Sequence, residues 1–570
     1  MSSDVLDCRP VTRTNHAHLS TPIGDKSEKI DHPGSATGRN GAVSSENELC
    51  SKIGVDALKD GGSAVDAAIA TGICIGVTNM YSSGIGGGGF MVVRDHDGMS
   101  RYIDFREEAP ALAQTDMYNH DPKLAQIGGL GVAVPGEIRG FEAAHKRYGK
   151  LEWKRLFQPS VDLAINGWEV NHILEHRINL APTLLLNNPA FRDVFAPNGV
   201  LLKQGDIIKR EKYGLALKEI GEKGANVFYE GWIAEEIVKT TKAEGGILSM
   251  DDMRQYQAKI LPTYVGYYNG RRVITGPPPT SGPVLISLLN VMEGYDLHGE
   301  GPTNTNFHRL VEAYKHGFAQ RSYYGDPVDP VYKNITVIAK DFSRKHYAWD
   351  VRHNITDEKT HGPKYYNPTF DIDSDHGTMH VSVLAADGSA VSMTCTVNLL
   401  FGGQIMNAAT GIILNDEMDD FSIPGHPNAF GLEPSPYNFI HPRKRPLSSS
   451  VPVIIENRAG DHVEVVAGAS GGSRIITATM QAVLDMLDWG STPLQAVTRP
   501  RMHHQLLPNN IMVEWEFDET LKKDLEGRGH KFVVLDKGLY LSGVEVIRRR
   551  PDGLIEAASD WRKAGVSVGY

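Results

Sequence analysis

The spacing of apolar residues changes along this chain, from helical in the first half to alternating in the last third. "DGGSAVDAAIATGICIGV" (60–77) is apolar almost throughout, and Ala64, Ala67, Ala68 and Ile69 are small. It predicts a closely packed, buried helix that Ser63 can cap. "YSSGIGGGGFMVVRD" follows, with a loose G-x-G-x-x-G pattern. A dinucleotide fingerprint runs strand, glycines, helix. Here the helix comes first and a strand over 90–93 comes after, so the glycines read as close backbone packing. Segments within 205–260 read as amphipathic helices with capped starts and glycine stops. "GPPPTSGP" from Gly276 is a rigid turn into a helix beginning at Val284. The polar stretch 345–377 reads as a flexible connector. Beyond it the pattern gives a strand pair, a Pro/aromatic loop over 424–446, the strand "HVEVVAG" and a helix from Ile475.

Within the strand pair, "HVSVLAADGSAVSMTCTVN" alternates and turns at Asp387-Gly388, a hairpin signal. A three-residue loop with Gly388 left-handed sets Thr378 opposite Thr396, with Asn398 just beyond. A two-residue loop moves the partner to Val397, so the pattern leaves the register open. Downstream, "NDEMDDF" carries four carboxylates in five residues. It reads as a solvated acidic turn, a weak calcium loop without EF-hand spacing, or a pocket for a cationic amine. "GASGG" offers a G-x-S-x-G elbow at Ser470, with Asp518 and His530 as partners for a serine hydrolase. Little chain remains beyond it for that fold. Its two glycines, Gly471 and Gly472, can instead present backbone N–H groups to an oxyanion.

Composition narrows the class. The chain has 570 residues, 41% hydrophobic and 22% charged, which suits a large soluble core. A formal charge of −11 argues against nucleic acid as a partner, and "HPRKRP" and "RRRP" read as solvated surface. No apolar run approaches the ~18 residues of a membrane span. Residues 1–45 are polar and read as a disordered tail rather than a signal peptide, which favours the cytoplasm or a vacuole. The four cysteines form no C-x-x-C pair, so neither a zinc site nor a redox motif is indicated. Asn334 and Asn354 head N-x-T sequons, which matter only on a secretory route.

From about residue 45 to the C-terminus the chain resembles the γ-glutamyltransferase (glutathione hydrolase) family. The resemblance rests on "DGGSAVDAAIA", "IDFREEAP", "GVAVPGEIRGF", "NDEMDDF", "RPLSSS" and "ASDWRKAG", and above all on the run from Thr378 to Gly402, T-x-H-V-S-V-x4-G-S-A-V-S-x-T-x-T-V-N-L-L-F-G. One position departs: Met379 stands where the family usually has Ser, Thr or Ala, placing bulk beside the expected nucleophile. It is the one feature that favours an uncleaved, inactive binder of γ-glutamyl compounds.

The resemblance implies an α/β fold, the αββα sandwich of N-terminal nucleophile hydrolases, cut between Gly377 and Thr378 by the chain itself. The products, 1–377 (the 1–45 tail and a large subunit over 46–377) and 378–570, would stay together as an intertwined heterodimer. Gly377 would let the backbone bend at the scissile bond. Thr378 would become a new N-terminus, its hydroxyl the nucleophile and its α-amine, a group that ordinarily titrates at ~7.7–8.0, the base. Thr396 would orient Thr378, and Gly471 and Gly472 would form the oxyanion hole. Arg106, with Ser448 and Ser449, would hold the substrate carboxylate; Asn398, Glu417 and Asp420 would hold its ammonium. The implied substrates are glutathione and other γ-glutamyl compounds, with water, amino acids or dipeptides as acceptors, for glutathione turnover or sulfur-metabolite synthesis. No cofactor or metal is called for. Residues 424–446 would form a lid. A family disulfide corresponds to Cys50 and Cys74, and would direct the protein to the secretory route or a vacuole.

Overall fold

The computed structural model describes residues 34–370, 377–426 and 432–570. Two seven-stranded sheets lie at its centre. The first runs in the order Ser35–Gly38, Ile555–Ser559, Gly543–Arg549, Val463–Ser470, Val453–Glu456, Arg271–Thr275, Tyr264–Tyr268. The second runs Val568–Gly569, Ala42–Ser45, Met379–Leu384, Ala390–Thr396, Gly88–Arg94, Ser100–Phe105, Lys259–Leu261. Each sheet takes strands from both sides of the Gly377–Thr378 bond. Among the described residues only two small sheets stay within one segment: Trp168–Glu169 with Ile207–Ile208 before the bond, and Met502–His503, Ile511–Val513 and Phe532–Val534 after it.

Period-2 alternation builds the layers. Val453 and Ile455 join the apolar cluster formed with the helices Gly282–Met292, Asn304–Arg321 and Arg474–Leu487, while Ile454 between them faces the other sheet with Phe90, Val92, Val466 and Ile547. On the second sheet, Met379, Val381, Val383, Val391 and Met393 pack toward the helices Glu48–Lys59, Ala64–Thr78 and Glu137–Tyr148. The result is helix, sheet, sheet, helix: the expected αββα sandwich.

The helix Ala64–Thr78 is buried along its whole length, and Ser63 and Asp66 form a capping box at its start. Cys50 and Cys74 are joined by a disulfide that staples this helix to Glu48–Lys59. The glycine run passes extremely close to its neighbours. A Cβ at Gly87 would lie 1.9 Å from the Thr396 carbonyl oxygen, and one at Gly89 would lie 2.1 Å from that of Thr394. The hairpin pairs Met379 with Cys395 and Leu384 with Ala390, with Gly388 at φ +81°, which is the three-residue-loop register.

Two readings of the pattern need correction. Residues 35–45 are not part of a tail: Ser35–Gly38 pairs with Ile555–Ser559, and Ala42–Ser45 lies beside the hairpin with Ala42 and Val43 fully buried. Their polar composition serves a polar seam, where Ser44 Oγ donates to Glu545 at 2.9 Å. Residues 1–33 lie outside the described residues. Residues 345–377 are not simply a connector either: they hold the helix Lys345–Asn354 and a buried Tyr366. That helix buries only Ala348 and Val351, too narrow an apolar stripe to read from sequence, and Arg352 fastens it to Asn290 O at 2.8 Å. Residues 371–376 of that stretch, and 427–431 of the expected lid, lie outside the described residues. Asn334 and Asn354 are both exposed. Among the described residues no helix is long and apolar enough to cross a membrane.

Candidate active site

Thr378 sits at the mouth of the hairpin, at the even positions that face the seam between the sheets. His380, Ser382, Ser392 and Thr394 line that seam behind it: His380 Nδ1 meets Thr394 Oγ1 at 2.9 Å, and Ser382 Oγ donates to Glu545 O at 3.0 Å. Burial pushes the His380 pKa down to about 3, so the ring is neutral. A Cβ at Gly468 would strike that ring at 2.1 Å, and the glycine makes room for it.

Two hydroxyls converge on one carbonyl. Thr378 Oγ1 and Thr396 Oγ1 each donate to Gly377 O at 2.5 Å. Thr396 Oγ1 in turn accepts from Asn398 N at 2.8 Å. Thr396 therefore bears on the peptide bond preceding Thr378, where the resemblance implied a contact with Thr378 itself. Gly377 N donates to Asn398 O at 2.7 Å, and a Cβ on Gly377 would lie 2.1 Å from that same oxygen. The need for glycine here is steric. Met379 points the other way, fully buried in the core against the helix layer, and adds no bulk to the nucleophile's side of the strand.

The acidic turn folds as a short 3-10 helix, Glu417–Asp420, against the loop after Phe105. Arg106, 1% exposed, forks onto it, donating Nη1 to Glu417 and Nη2 to Asp420. Nε reaches Pro446 O at 3.3 Å and Nη2 reaches Leu447 O at 3.2 Å. Those carbonyls immediately precede Ser448 and Ser449. Ser448 Oγ donates to Ser450 Oγ at 3.1 Å, and Ser449 is fully buried. Asn398 (φ +70°) holds Asp416 O through Nδ2 at 3.1 Å, and its buried Oδ1 has no hydrogen-bond partner among the described residues. Beneath Arg106, burial raises the Glu107 pKa to about 7 against the pull of the guanidinium.

Gly471 and Gly472 follow the strand Val463–Ser470 with φ of +124° and +65°, ahead of the helix Arg474–Leu487. Ser470 pairs with Gly543, whose Cβ position would touch the stem of Lys563 at 3.0 Å. Lys563 Nζ donates to Thr378 O at 2.6 Å and pairs with Glu46 at 2.9 Å. The glycine turn and the threonine thus share one end of the sandwich. "ASDWRKAG" carried the resemblance, but nothing local in it pointed Lys563 at Thr378, and Glu46 gave no signal.

No serine-hydrolase triad forms. Ser470 Oγ lies 3.5 Å from Gly543 O, Asp518 caps the helix Glu519–Gly527 through Leu521 N at 2.7 Å, and His530 Nε2 meets His308 Nδ1 at 2.8 Å. His308, Glu312 and His530 are the one buried grouping with metal-capable atoms among the described residues. Glu312 already accepts from Lys315 at 2.9 Å and Thr360 at 2.6 Å, so the cluster is a hydrogen-bonded junction.

The chain matches the Gamma-glutamyltranspeptidase family over residues 50–570. It belongs to this family. Glutathione hydrolase proenzyme 1 of Schizosaccharomyces pombe is 42% identical over 540 residues, covering 94% of this chain and 85% of the relative. A solved γ-glutamyltranspeptidase from Helicobacter pylori is 34% identical, with a TM-score of 0.52, over 54% of this chain and 90% of that one. A cephalosporin acylase from Bacillus halodurans, 24% identical, superposes with a TM-score of 0.83 over 98% of this chain and 99% of its own, which speaks for the fold alone. The γ-glutamyltranspeptidase family has the N-terminal nucleophile fold, and its members are hydrolases and transferases.

Proposed function

We propose that this chain is a γ-glutamyl hydrolase and transferase that acts on glutathione and its S-conjugates through an acyl-threonine. The observation that carries this reading is the convergence of the Thr378 and Thr396 hydroxyls on Gly377 O. The Thr396 hydroxyl polarises that carbonyl while Thr378 Oγ1 sits next to it, poised to attack its carbon. Acyl transfer from N to O, then hydrolysis of the ester, releases Thr378 as an N-terminus. Its α-amine then serves as the base that a peptide nitrogen cannot be. The two products remain together because both seven-stranded sheets are shared between them.

The mature site holds an amino-acid head group by exchange of ion pairs. An α-carboxylate and an α-ammonium branch from one carbon, so their partners must be neighbours, as Arg106 is to Glu417 and Asp420. The carboxylate takes Arg106, with Ser448 and Ser449 at its side. The ammonium takes Asp420, Glu417 and the unpartnered Asn398 Oδ1. No charge is stranded during the exchange, which spares the large cost of burying an unpaired ion. With the head group fixed, the γ-carbonyl reaches Thr378, and Gly471 and Gly472 receive the oxyanion. Water or the amine of an amino acid or dipeptide then accepts the acyl group. The Cys50–Cys74 disulfide supports passage through an oxidising compartment.

The test is the purified protein on a denaturing gel with N-terminal sequencing of the smaller band. Thr-Met-His-Val is expected, and Thr378→Ala should remain one chain. An active preparation that is a single uncut chain would overturn the reading.

A further inference from the structure

Lys563 approaches Thr378 from the far end of the chain. It closes the short helix Trp561–Lys563, and its stem lies across Gly543, where a Cβ would meet Cδ at 3.0 Å and Cγ at 3.2 Å. Its ammonium donates to Thr378 O at 2.6 Å and to Glu46 Oε1 at 2.9 Å, with Glu46 fully buried at the end of the strand Ala42–Ser45. A single cation thus ties the end of one strand to the carbonyl of the expected nucleophile.

Resting on the reading of Thr378 as nucleophile and base, we propose that Lys563 is a positioning residue that anchors the Thr378 carbonyl and, through its charge, keeps the neighbouring α-amine unprotonated and able to act as base. Carbonyl and amine leave the same Cα, so the ammonium stands within roughly 6 Å of the amine. A like charge at that range disfavours the protonated amine, and Glu46 moderates the effect.

The other charges packed around the pair are already engaged. Glu545 accepts from Ser44, and burial, then the Glu46 charge, push its pKa well above the ordinary carboxylate value. The phenol of Tyr81 is raised by burial, then by Glu46, and the Arg177 guanidinium lies 5.6 Å from its ring centroid. Asp560 is bound by Arg501 and Arg562, and Arg106 by Glu417 and Asp420. His380, next along the strand, is neutral. Lys563 is therefore the cation that acts on the amine, and Glu46 the anion that tempers it.

The experiment is the pH profile of kcat/KM for γ-glutamyl p-nitroanilide with cleaved enzyme, whose acid limb reports the free amine. Lys563→Met should move that limb upward by about one pH unit. Lys563→Arg should keep it near the wild-type position. Glu46→Gln should move it downward, because the cation then acts unopposed. Opposite shifts cannot come from general loosening of the fold. An unmoved limb in cleaved Lys563→Met overturns the proposal. If that variant stays uncleaved, Glu46→Gln decides alone, and an unmoved or upward limb overturns it. Failure of the underlying reading is seen separately, as wild-type small chains that do not begin at Thr378.

Discussion

The hydroxyl of Thr396 donates to the carbonyl oxygen of Gly377 at 2.5 Å, across the open end of the hairpin that also carries Thr378. It is placed to stabilise negative charge on that oxygen when the peptide bond is attacked. Removing one such donor commonly costs roughly 10²–10³ in rate. Thr396→Ala should therefore slow self-cleavage at least a hundredfold on this scale, while Thr396→Ser, which keeps the hydroxyl, should cleave at a rate close to wild type. Intact mass spectrometry over time after synthesis measures both. Equal rates for Thr396→Ala and wild type would remove Thr396 from the cleavage step.

Gly377 makes a second demand on the same bond. Its missing Cβ would sit 2.1 Å from Asn398 O, a backbone atom tied to Gly377 N, so neither partner can retreat without losing that hydrogen bond. Gly377→Ala should displace the scissile carbonyl from Thr378 and leave most of the protein uncut. Its melting temperature should stay within a few degrees, since the strain is local. Cleavage at the wild-type rate would show that the close approach is dispensable.

What the sequence made legible was mostly local. The Ser63 cap, the Gly388 turn and the close-packed glycines each follow from a few adjacent residues, and the hairpin register needed only a choice between two loop lengths. The Lys563 contacts were not legible, because their partners Thr378 and Glu46 lie 185 and 517 positions away. Nor was the pairing of Arg106 with Asp420 legible. Their direct contact comes from the loop after Phe105 folding onto the acidic turn, which no local pattern encodes.

Glu137 is fully buried, and burial raises its pKa to about 8. Its unfolded value is near 4.5, so between the two the native state holds a proton that the unfolded state has released. Stability from this group is complete below the unfolded pKa and is lost as pH rises through the folded one, by up to about 1.4 kcal/mol per pH unit. Glu137→Gln removes that slope. Its melting temperature relative to wild type should climb from pH 5 to pH 8, and a constant difference across that range would contradict a buried, proton-holding Glu137.

The disulfide joins residues 24 apart and lies in the helix layer rather than at the nucleophile. Closing a loop of that length stabilises by about 3 kcal/mol in the chain-entropy description. The double variant Cys50→Ala, Cys74→Ala should melt several degrees lower, with kcat for γ-glutamyl p-nitroanilide within about twofold of wild type at 25 °C, since a stability change at a remote site is usually separable from chemistry. Loss of activity in folded, cleaved protein would mean that the staple positions the hairpin.

Arg106 and Asp420 form one ion pair, so their contributions to substrate binding should not add. In Asp420→Ala the substrate ammonium loses its partner and Arg106 loses a counter-charge, which should cost roughly 2–5 kcal/mol in kcat/KM on γ-glutamyl p-nitroanilide, much of it from the stranded charge. Glutaryl p-nitroanilide lacks the ammonium, so Asp420→Ala should lose far less there, its carboxylate still meeting Arg106. Arg106→Ala should impair both substrates. The double variant should be less damaged than the sum of the singles, because neither residue strands the other when both are absent. Each variant is first checked for cleavage at Thr378, so that a processing defect is not mistaken for a binding one. Equal losses on both substrates in cleaved Asp420→Ala would show that Asp420 supports the fold or the nucleophile and does not hold the ammonium.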